Sequence, residues 1–362
     1  MLPYFTEVFG NPASASHAWG WKAQEAVESA RRAVAALVGA SAREIVFTSG
    51  ATESNNFAIF GVADAPHAGG RRHVVTSAIE HKSILEATRR LESTGWRRTV
   101  VPVHSDGRID LEALAVAVTD DTALVSIMAA NNEIGVIQPL AEIAEIAHAR
   151  GALVHVDAAQ AAGKIPIDVA ALGVDLLSLT AHKMYGPKGC GAIFIRKRTE
   201  LAPLIMGGGQ ERGARAGTLN VPGIVGLGKA CELCRAEMPQ ESVRLAALRD
   251  RLLAGLTSSL EGVTVNGSMT HRLPHNLHVS FDAVDGEALL VGIGDIAVSS
   301  GSACSSASAT PSHVLTAILG DEVPSASIRF GLGRFTTEDH IEYTIDKFTA
   351  VVRHLRHPVV AQ

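Results

Sequence analysis

The sequence predicts an α/β protein with a mainly parallel seven-stranded sheet, followed by a smaller α+β region. Three observations carry that prediction. Seven short apolar or β-branched runs ("EIVFTS", "RHVVTSAI", "RTVVPV", "ALVSIMAA", "ALVHVDAA", "VDLLSLT", "GAIFIR") alternate with longer stretches of helical period. Strands buried on both faces and separated by helices pack as a parallel sheet covered on both sides. The chain has 362 residues, beyond the size at which one core stops growing, so two domains are expected.

Taken in order, "SASHAWGWKAQEAVESARRAVAALVG" reads as a long helix after a Ser/Asn/Pro start. The strand runs follow, separated by helices that include "LEATRRLEST", "DLEALAVAV" and "LAEIAEIAHARG". "GIVGLGKACELCRAEM" is a further helix, on which Cys231 and Cys234 share a face. Near Pro239 the pattern changes. A helix, "ESVRLAALRDRLLAGLTSSL", precedes the shorter strands "HNLHVSF" and "SIRFGL" and a closing helix "EDHIEYTIDKFTAVVRHLRH". The expected domains are residues 1–239 and 240–362.

Composition narrows the function classes. Apolar residues make up 47% of the chain and charged ones 19%, which is a core-forming balance. The formal net charge is −5 and no basic block stands out, so direct nucleic-acid or membrane-surface binding is not expected. No apolar run approaches the ~20 residues that span a bilayer. The start, "MLPYFTEVFGNPAS", does not read as a secretory signal. Four cysteines are too few for a disulfide scaffold, which points to a reducing compartment, the cytoplasm or an organelle matrix. "CELC" by itself makes no zinc site, and no metal is expected.

Ligands of open α/β sheets bind beyond the carboxyl ends of the strands. "FTSGATESNN" joins a strand to a helix through a Gly turn. Free N–H groups there, with Ala51 and Thr52, suit a phosphate, although an ordinary capping box from Thr52 to Asn55 would read alike. Other strand ends carry His81, Asn131 with Asn132, Asp157 with Gln160, and Thr180, His182 and Lys183. Lys183 closes the apolar run "VDLLSLTAHK". A desolvated lysine has a lowered pKa, and its neutral amine condenses with aldehydes. Pyridoxal phosphate offers both an aldehyde and a phosphate, and its ring nitrogen needs a carboxylate partner, for which Asp157 is the candidate. His81 is a candidate to stack on the ring. Cys304 sits in the small polar loop "SSGSACSSASATPS", where a reactive thiol is favoured over a buried one.

In combination, "GNPASASH", "FTSGATESNN", "EHKSIL", "NNEIGVIQP", "HVDAAQ", "LTAHKMYGPKGCGAIFIRKR", "GGGQERGARAGTLNVP", "SSGSACSSAS" and "SIRFGLGRFTTEDHI" resemble the cysteine desulfurases of the iron–sulfur assembly type. These belong to the aspartate-aminotransferase-like enzymes of PLP fold type I. The resemblance runs from about Phe9 to the last helix. It implies that Lys183 is the Schiff-base lysine, that Asp157 pairs with the ring nitrogen and that Gln160 bonds the ring hydroxyl. It implies that His81 stacks on the ring and serves catalysis. Ala51, Thr52, Thr180 and His182 would hold the phosphate, and Thr218 would reach the phosphate of a partner subunit. Asn132 and Arg329 would grip the substrate carboxylate beside the cofactor, and Cys304 would accept the sulfur.

The resemblance also implies a cytoplasmic homodimer that converts L-cysteine to L-alanine and passes a persulfide to a sulfur-acceptor protein, either a cluster scaffold or a thiolation relay. An aminotransferase or selenocysteine lyase of the same fold, or a low-activity sulfur-relay subunit, is the alternative. Family members usually carry a further N-terminal segment with an early Asp and an Ala-Thr-Thr run, and scaffold-docking members a longer C-terminal tail. The sequence in hand starts after the first and stops at Gln362, so slow turnover of free cysteine with intact cofactor binding is expected.

Overall fold

The computed structural model describes residues 1–65, 70–300 and 312–357. Two compact units emerge. The first comprises Met1–Pro102, Ile109–Ala130 and Gln138–Met238, and the second Val103–Arg108, Asn131–Ile137 and Pro239–Gln362.

The first unit runs through α1 (Pro3–Thr6), α2 (Ala18–Val38), β1 (Ile45–Thr48), α3 (Ala51–Ala63), β2 (His73–Ser77), α4 (Lys82–Glu92) and β3 (Arg97–Val101). It continues with α5 (Leu111–Ala117), β4 (Thr122–Met128), α6 (Leu140–His148), β5 (Leu153–Asp157), β6 (Leu176–Thr180) and β7 (Gly191–Ile195). Helix α7 (Val221–Ser259) contributes its residues up to Met238 here and the remainder to the second unit. Local chemistry sets the helix ends. His17 caps α2 by accepting the Gly20 N–H, and Gly39 closes it in the left-handed region at φ 72°. Ala23, Val27, Ala30 and Val34 are buried on α2, the spacing of one helix face.

The large sheet has the order β1-β7-β6-β5-β4-β2-β3. Strands β6, β5, β4, β2 and β3 are parallel, whereas β7 runs antiparallel to both β6 and β1. Only nine residues, 181–189, separate Thr180 from Cys190, too few for a parallel crossover, which needs about a dozen or more. Register then aligns one edge. Thr48 of β1 pairs with Gly191, Gly191 pairs with Thr180 of β6, and Asp157 ends β5 beside Ser178 of β6 and Met128 of β4. A β-carbon on Gly191 would meet the Gly50 Cα at 2.6 Å, so glycine is what lets the β1–α3 turn lie against this edge.

Polar groups inside the sheet are satisfied across strands. Ser126 of β4, His155 of β5 and Ser178 of β6 form a buried chain with His155 at its centre, at 2.8 and 2.9 Å. Burial pushes the His155 pKa down to about 3, so the ring is neutral.

The second unit contains β8 (Val263–Val265), β9 (Asn276–Phe281), α8 (Gly286–Gly292), β10 (Ser299–Ser300), α9 (His313–Leu319), β11 (Ser327–Gly331) and α10 (Glu338–Arg356). Its sheet, β10-β11-β9-β8, is antiparallel throughout. Phe348 stacks on Phe281 and meets Phe330 at a tilt in its core, with ring centroids 5.7 and 4.9 Å apart. Among the described residues no helix is long and apolar enough to cross a membrane.

Candidate active site

The carboxyl edge of the large sheet gathers Thr48, Asp157, Thr180 and the segments that follow them. Helix α3 opens at Gly50, whose φ is +152° and which offers no side-chain cap. The capping box from Thr52 to Asn55 does not form. Glu53 reaches back instead and accepts the Ser49 N–H at 2.8 Å. The first turn of α3, carrying half-buried Ala51 and exposed Thr52, therefore presents its N-terminal end to the edge.

Asp157 is the buried charge of the site, only 5% exposed. Its Oδ1 accepts the Ala159 N–H at 2.9 Å and its Oδ2 accepts Asn55 Nδ2 at 2.7 Å. Burial pushes its pKa up, and those two donors, together with His81 and Lys183, pull it back toward the charged form. Lys183 and His81 are thus within electrostatic reach of one carboxylate.

Lys183 is exposed, not desolvated. The strand ends at Thr180, and the short 3-10 turn Ala181–Lys183 carries the side chain out of the sheet. Exposed His182 hydrogen-bonds Thr180 Oγ1 through Nδ1 at 2.9 Å. Burial, Lys183 and Lys188 all lower its pKa. Gln160 is half-buried just after Asp157.

His81 follows β2 and is the N-cap of α4, with Nδ1 accepting the Ser83 N–H at 3.1 Å. The sequence offers Asn55 only as a capping-box partner and gives no role to Ser83, yet the two connect His81 to Asp157. Asn55 Nδ2 also donates to Ser83 Oγ at 2.8 Å, and Ser83 Oγ lies 2.8 Å from His81 Nδ1. Glu80 was missed as well. It is fully buried, its Oε1 accepting from Ser77 Oγ at 2.7 Å and from Met128 N at 2.9 Å. Burial, helped by the charge of Asp157, raises its pKa to about 8. A strand-to-helix boundary at His81 was the available signal, since a cap accepts from the residue two positions on.

Thr218 is exposed at the end of a loop that the structure pins twice. Glu211 takes both guanidinium nitrogens of buried Arg31 at 2.7 Å and the Phe47 N–H at 2.8 Å. Arg215 forks onto Glu53 at 2.8 and 3.2 Å. Those anchors hold Glu211 and Arg212 at φ 47° and 60°, a left-handed region costing about 1–2 kcal/mol per residue.

Asn132 and Arg329 belong to the second unit, where Arg329 Nη1 donates to the Asn132 carbonyl at 2.6 Å and Nη2 to Ser299 Oγ at 3.0 Å. No carboxylate neutralises Arg329 among the described residues. Cys304 lies outside the described residues. Among those described, no group of three or more His, Cys, Asp or Glu is placed to hold a metal.

Residues 1–344 match the class-V aminotransferases. Cysteine desulfurase IscS of Anaeromyxobacter sp. (strain K) is 55% identical over 359 residues, covering 98% of this chain and 89% of that protein. The chain belongs to the cysteine desulfurase family. Cysteine desulfurase IscS of Pasteurella multocida is 54% identical over 361 residues, with the same two coverages of 98% and 89%. Among solved structures, a NifS-like protein superposes with TM-score 0.90 at 40% identity, covering 98% of this chain and 94% of its own. SspA in complex with cysteine gives 0.81 at 37%, with coverages of 92% and 94%. This desulfurase family depends on pyridoxal phosphate.

The donor set at the edge fits that cofactor. Each Asp157 oxygen uses one lone pair on an N–H and keeps another for a ring N–H. The uncapped start of α3 suits a phosphate, and Lys183 brings an amine within electrostatic reach of the carboxylate.

Proposed function

We propose that this protein removes the sulfur of L-cysteine, releases L-alanine and retains the sulfur as a persulfide on Cys304. The observation that carries the reading is Asp157, a buried carboxylate held by neutral N–H donors within electrostatic reach of Lys183. Ala51, Thr52, Thr180, His182 and Thr218 of a partner subunit would hold the phosphate. Asp157 would hold the ring nitrogen, Gln160 the ring hydroxyl and His81 the ring face. Bound cofactor supplies an aldehyde for the amino group and a ring that takes up negative charge.

Within that frame the chain's own groups do the rest. Arg329 and Asn132 orient the substrate carboxylate. Lys183 Nζ takes the Cα proton and returns it during turnover. The Cys304 thiolate attacks the substrate sulfur, an S–S bond forms, and the C–S bond breaks with its electron pair moving to carbon. A proton then completes alanine. A sulfur-acceptor protein and the reducing environment of the cytoplasm are the setting that this chemistry needs. A homodimer is supported by large apolar side chains exposed in the first unit: Phe5, Phe9, Trp19, Trp21 and Met206 are between 56% and 84% exposed.

The test is to supply cysteine to the cofactor-loaded protein, measure alanine, and weigh the peptide containing Cys304. Alanine in step with added sulfur on that peptide supports the reading. The corresponding keto acid in place of alanine would make the protein an aminotransferase, and sulfur only on Cys190, Cys231 or Cys234 would remove Cys304 from the reaction. Cys304→Ser should bind cysteine yet make almost no alanine, because a hydroxyl is a poor nucleophile toward sulfur.

A further inference from the structure

We propose that Asn55 and Ser83 are positioning residues that join Asp157 to His81 and fix the imidazole as its Nε2–H tautomer. The inference rests on the proposed function, in which His81 faces the cofactor.

Hydrogen-bond direction follows from one end of the chain to the other. Asp157 Oδ2 is an acceptor, so the Asn55 group 2.7 Å away is its NH2. The second hydrogen of that NH2 goes to Ser83 Oγ at 2.8 Å. Ser83 Oγ, already accepting, directs its own hydrogen to His81 Nδ1 at 2.8 Å. The Ser83 backbone N–H also points at Nδ1, at 3.1 Å. A ring nitrogen that accepts two hydrogen bonds carries no hydrogen, so the neutral ring holds its proton on Nε2.

Two observations exceed what a helix cap requires. Capping α4 needs only the Ser83 N–H on Nδ1, and the Ser83 hydroxyl and Asn55 add a second donor and a tether. Asn55 is fully buried and its Oδ1 has no partner among the described residues, so the amide is oriented to place both donors at the expense of its acceptor. Asn55 thus ties α3 to the ends of β5 and β2. The bridge thereby places the exchangeable proton of the neutral His81 ring on Nε2.

The test uses the full chain with nitrogen-15-labelled histidine, both free and loaded with pyridoxal phosphate, and His81→Gln to identify the His81 signals. At a pH where the ring is neutral, nitrogen–proton correlation spectra should show Nδ1 as pyridine-type and Nε2 as protonated. Ser83→Ala should let an Nδ1–H population appear and lower turnover about fivefold, with cofactor retention unchanged. Ser83→Thr should restore both. Asn55→Ala should shift the His81 signals in the same direction, although Asn55 does not touch the ring. Protonation of wild-type His81 at Nδ1 overturns the proposal. So does a Ser83→Ala protein with wild-type spectrum and turnover, or an Asn55→Ala protein whose His81 signals stay put. A wild-type chain that binds no cofactor and makes no alanine defeats the proposed function instead, and the spectra of the free protein still decide the bridge.

Discussion

Asp157 in the first unit and Arg329 in the second are opposite charges prepared in the same way. Asp157 is held by the N–H groups of Ala159 and Asn55, and Arg329 by the oxygens of Asn132 and Ser299. Neither has a salt-bridge partner within its own unit among the described residues. Elsewhere some buried charges are paired with each other. Arg31 and Glu211 form a bidentate bridge at 2.7 Å. Breaking such a buried pair costs about 3–5 kcal/mol. The difference separates charges that neutralise each other from charges oriented by neutral groups. The charges of Arg31 and Glu211 neutralise each other, whereas those of Asp157 and Arg329 are oriented by neutral dipoles and remain able to attract an opposite charge.

The strongest way to break the comparison is to remove the amine within electrostatic reach of Asp157. Lys183→Ala should lower alanine formation at least about 10³-fold, since no other group is proposed to move the Cα proton. Activity that survives would detach Lys183 from the reaction. Asp157→Asn should come next, with turnover down about 100-fold and cofactor still bound, because an amide cannot hold the ring nitrogen charged. Unchanged turnover there would make Asp157 a purely structural group. Arg329→Gln should act on the substrate instead. We expect kcat/KM to fall about 10- to 100-fold, mainly through KM, with cofactor retention intact. Were Arg329→Gln to release cofactor and Asp157→Asn to raise only KM, the two charges would have exchanged roles.

A smaller effect separates the units by pH. His155 in the first unit and His278 in the second are both pushed from 6.5 down to about 3, chiefly by burial. Each unfolded chain takes up a proton that the folded one refuses. Stability should therefore fall in both units as pH drops below 6.5 toward 3. Glu80, in the first unit, has the opposite sign. Its pKa is raised from 4.5 to about 8, so its contribution is full below 4.5 and lost as pH rises through about 8. Thermal melts should show acid loss in the wild type, and Glu80→Gln should flatten only the decline between those two values. Each kcal/mol corresponds to about 2–4 °C in Tm. A Glu80→Gln protein whose alkaline limb matches the wild type would show that Glu80 is ionised in the fold.

Parts of this were legible in the linear chain. The seven apolar runs all correspond to strands of the large sheet; six are buried almost along their whole length, as strands covered on both faces are, whereas the edge strand β3 is exposed or half-buried along most of its length. Lys183 was misjudged as desolvated. An apolar run says that a strand is buried, not how the chain leaves it, and the turn Ala181–Lys183 takes the side chain to the surface. The bridging role of Asn55 and Ser83 was passed over because their partners are remote in sequence. Asn55 bonds Ser83 at a separation of 28 residues and Asp157 at 102. Polar residues on a helix read as solvated until the packing that buries them is known.

The sequence by itself determined what depends on neighbours along the chain. The period of apolar residues set strand and helix, Gly39 ended α2, and the histidines at 17 and 81 began helices by capping nearby N–H groups. Tertiary structure alone decided which strand ends share an edge. The register Thr48–Gly191–Thr180 comes from a sheet order that no local pattern encodes. It alone joined Arg329 to the Asn132 carbonyl across 197 residues. It also decided which carboxyls are hard to ionise. Desolvation and hydrogen-bond direction are set by what surrounds a group in space, so Glu80 and Asp157 acquire their raised pKa values only when β4 and β5 close around them.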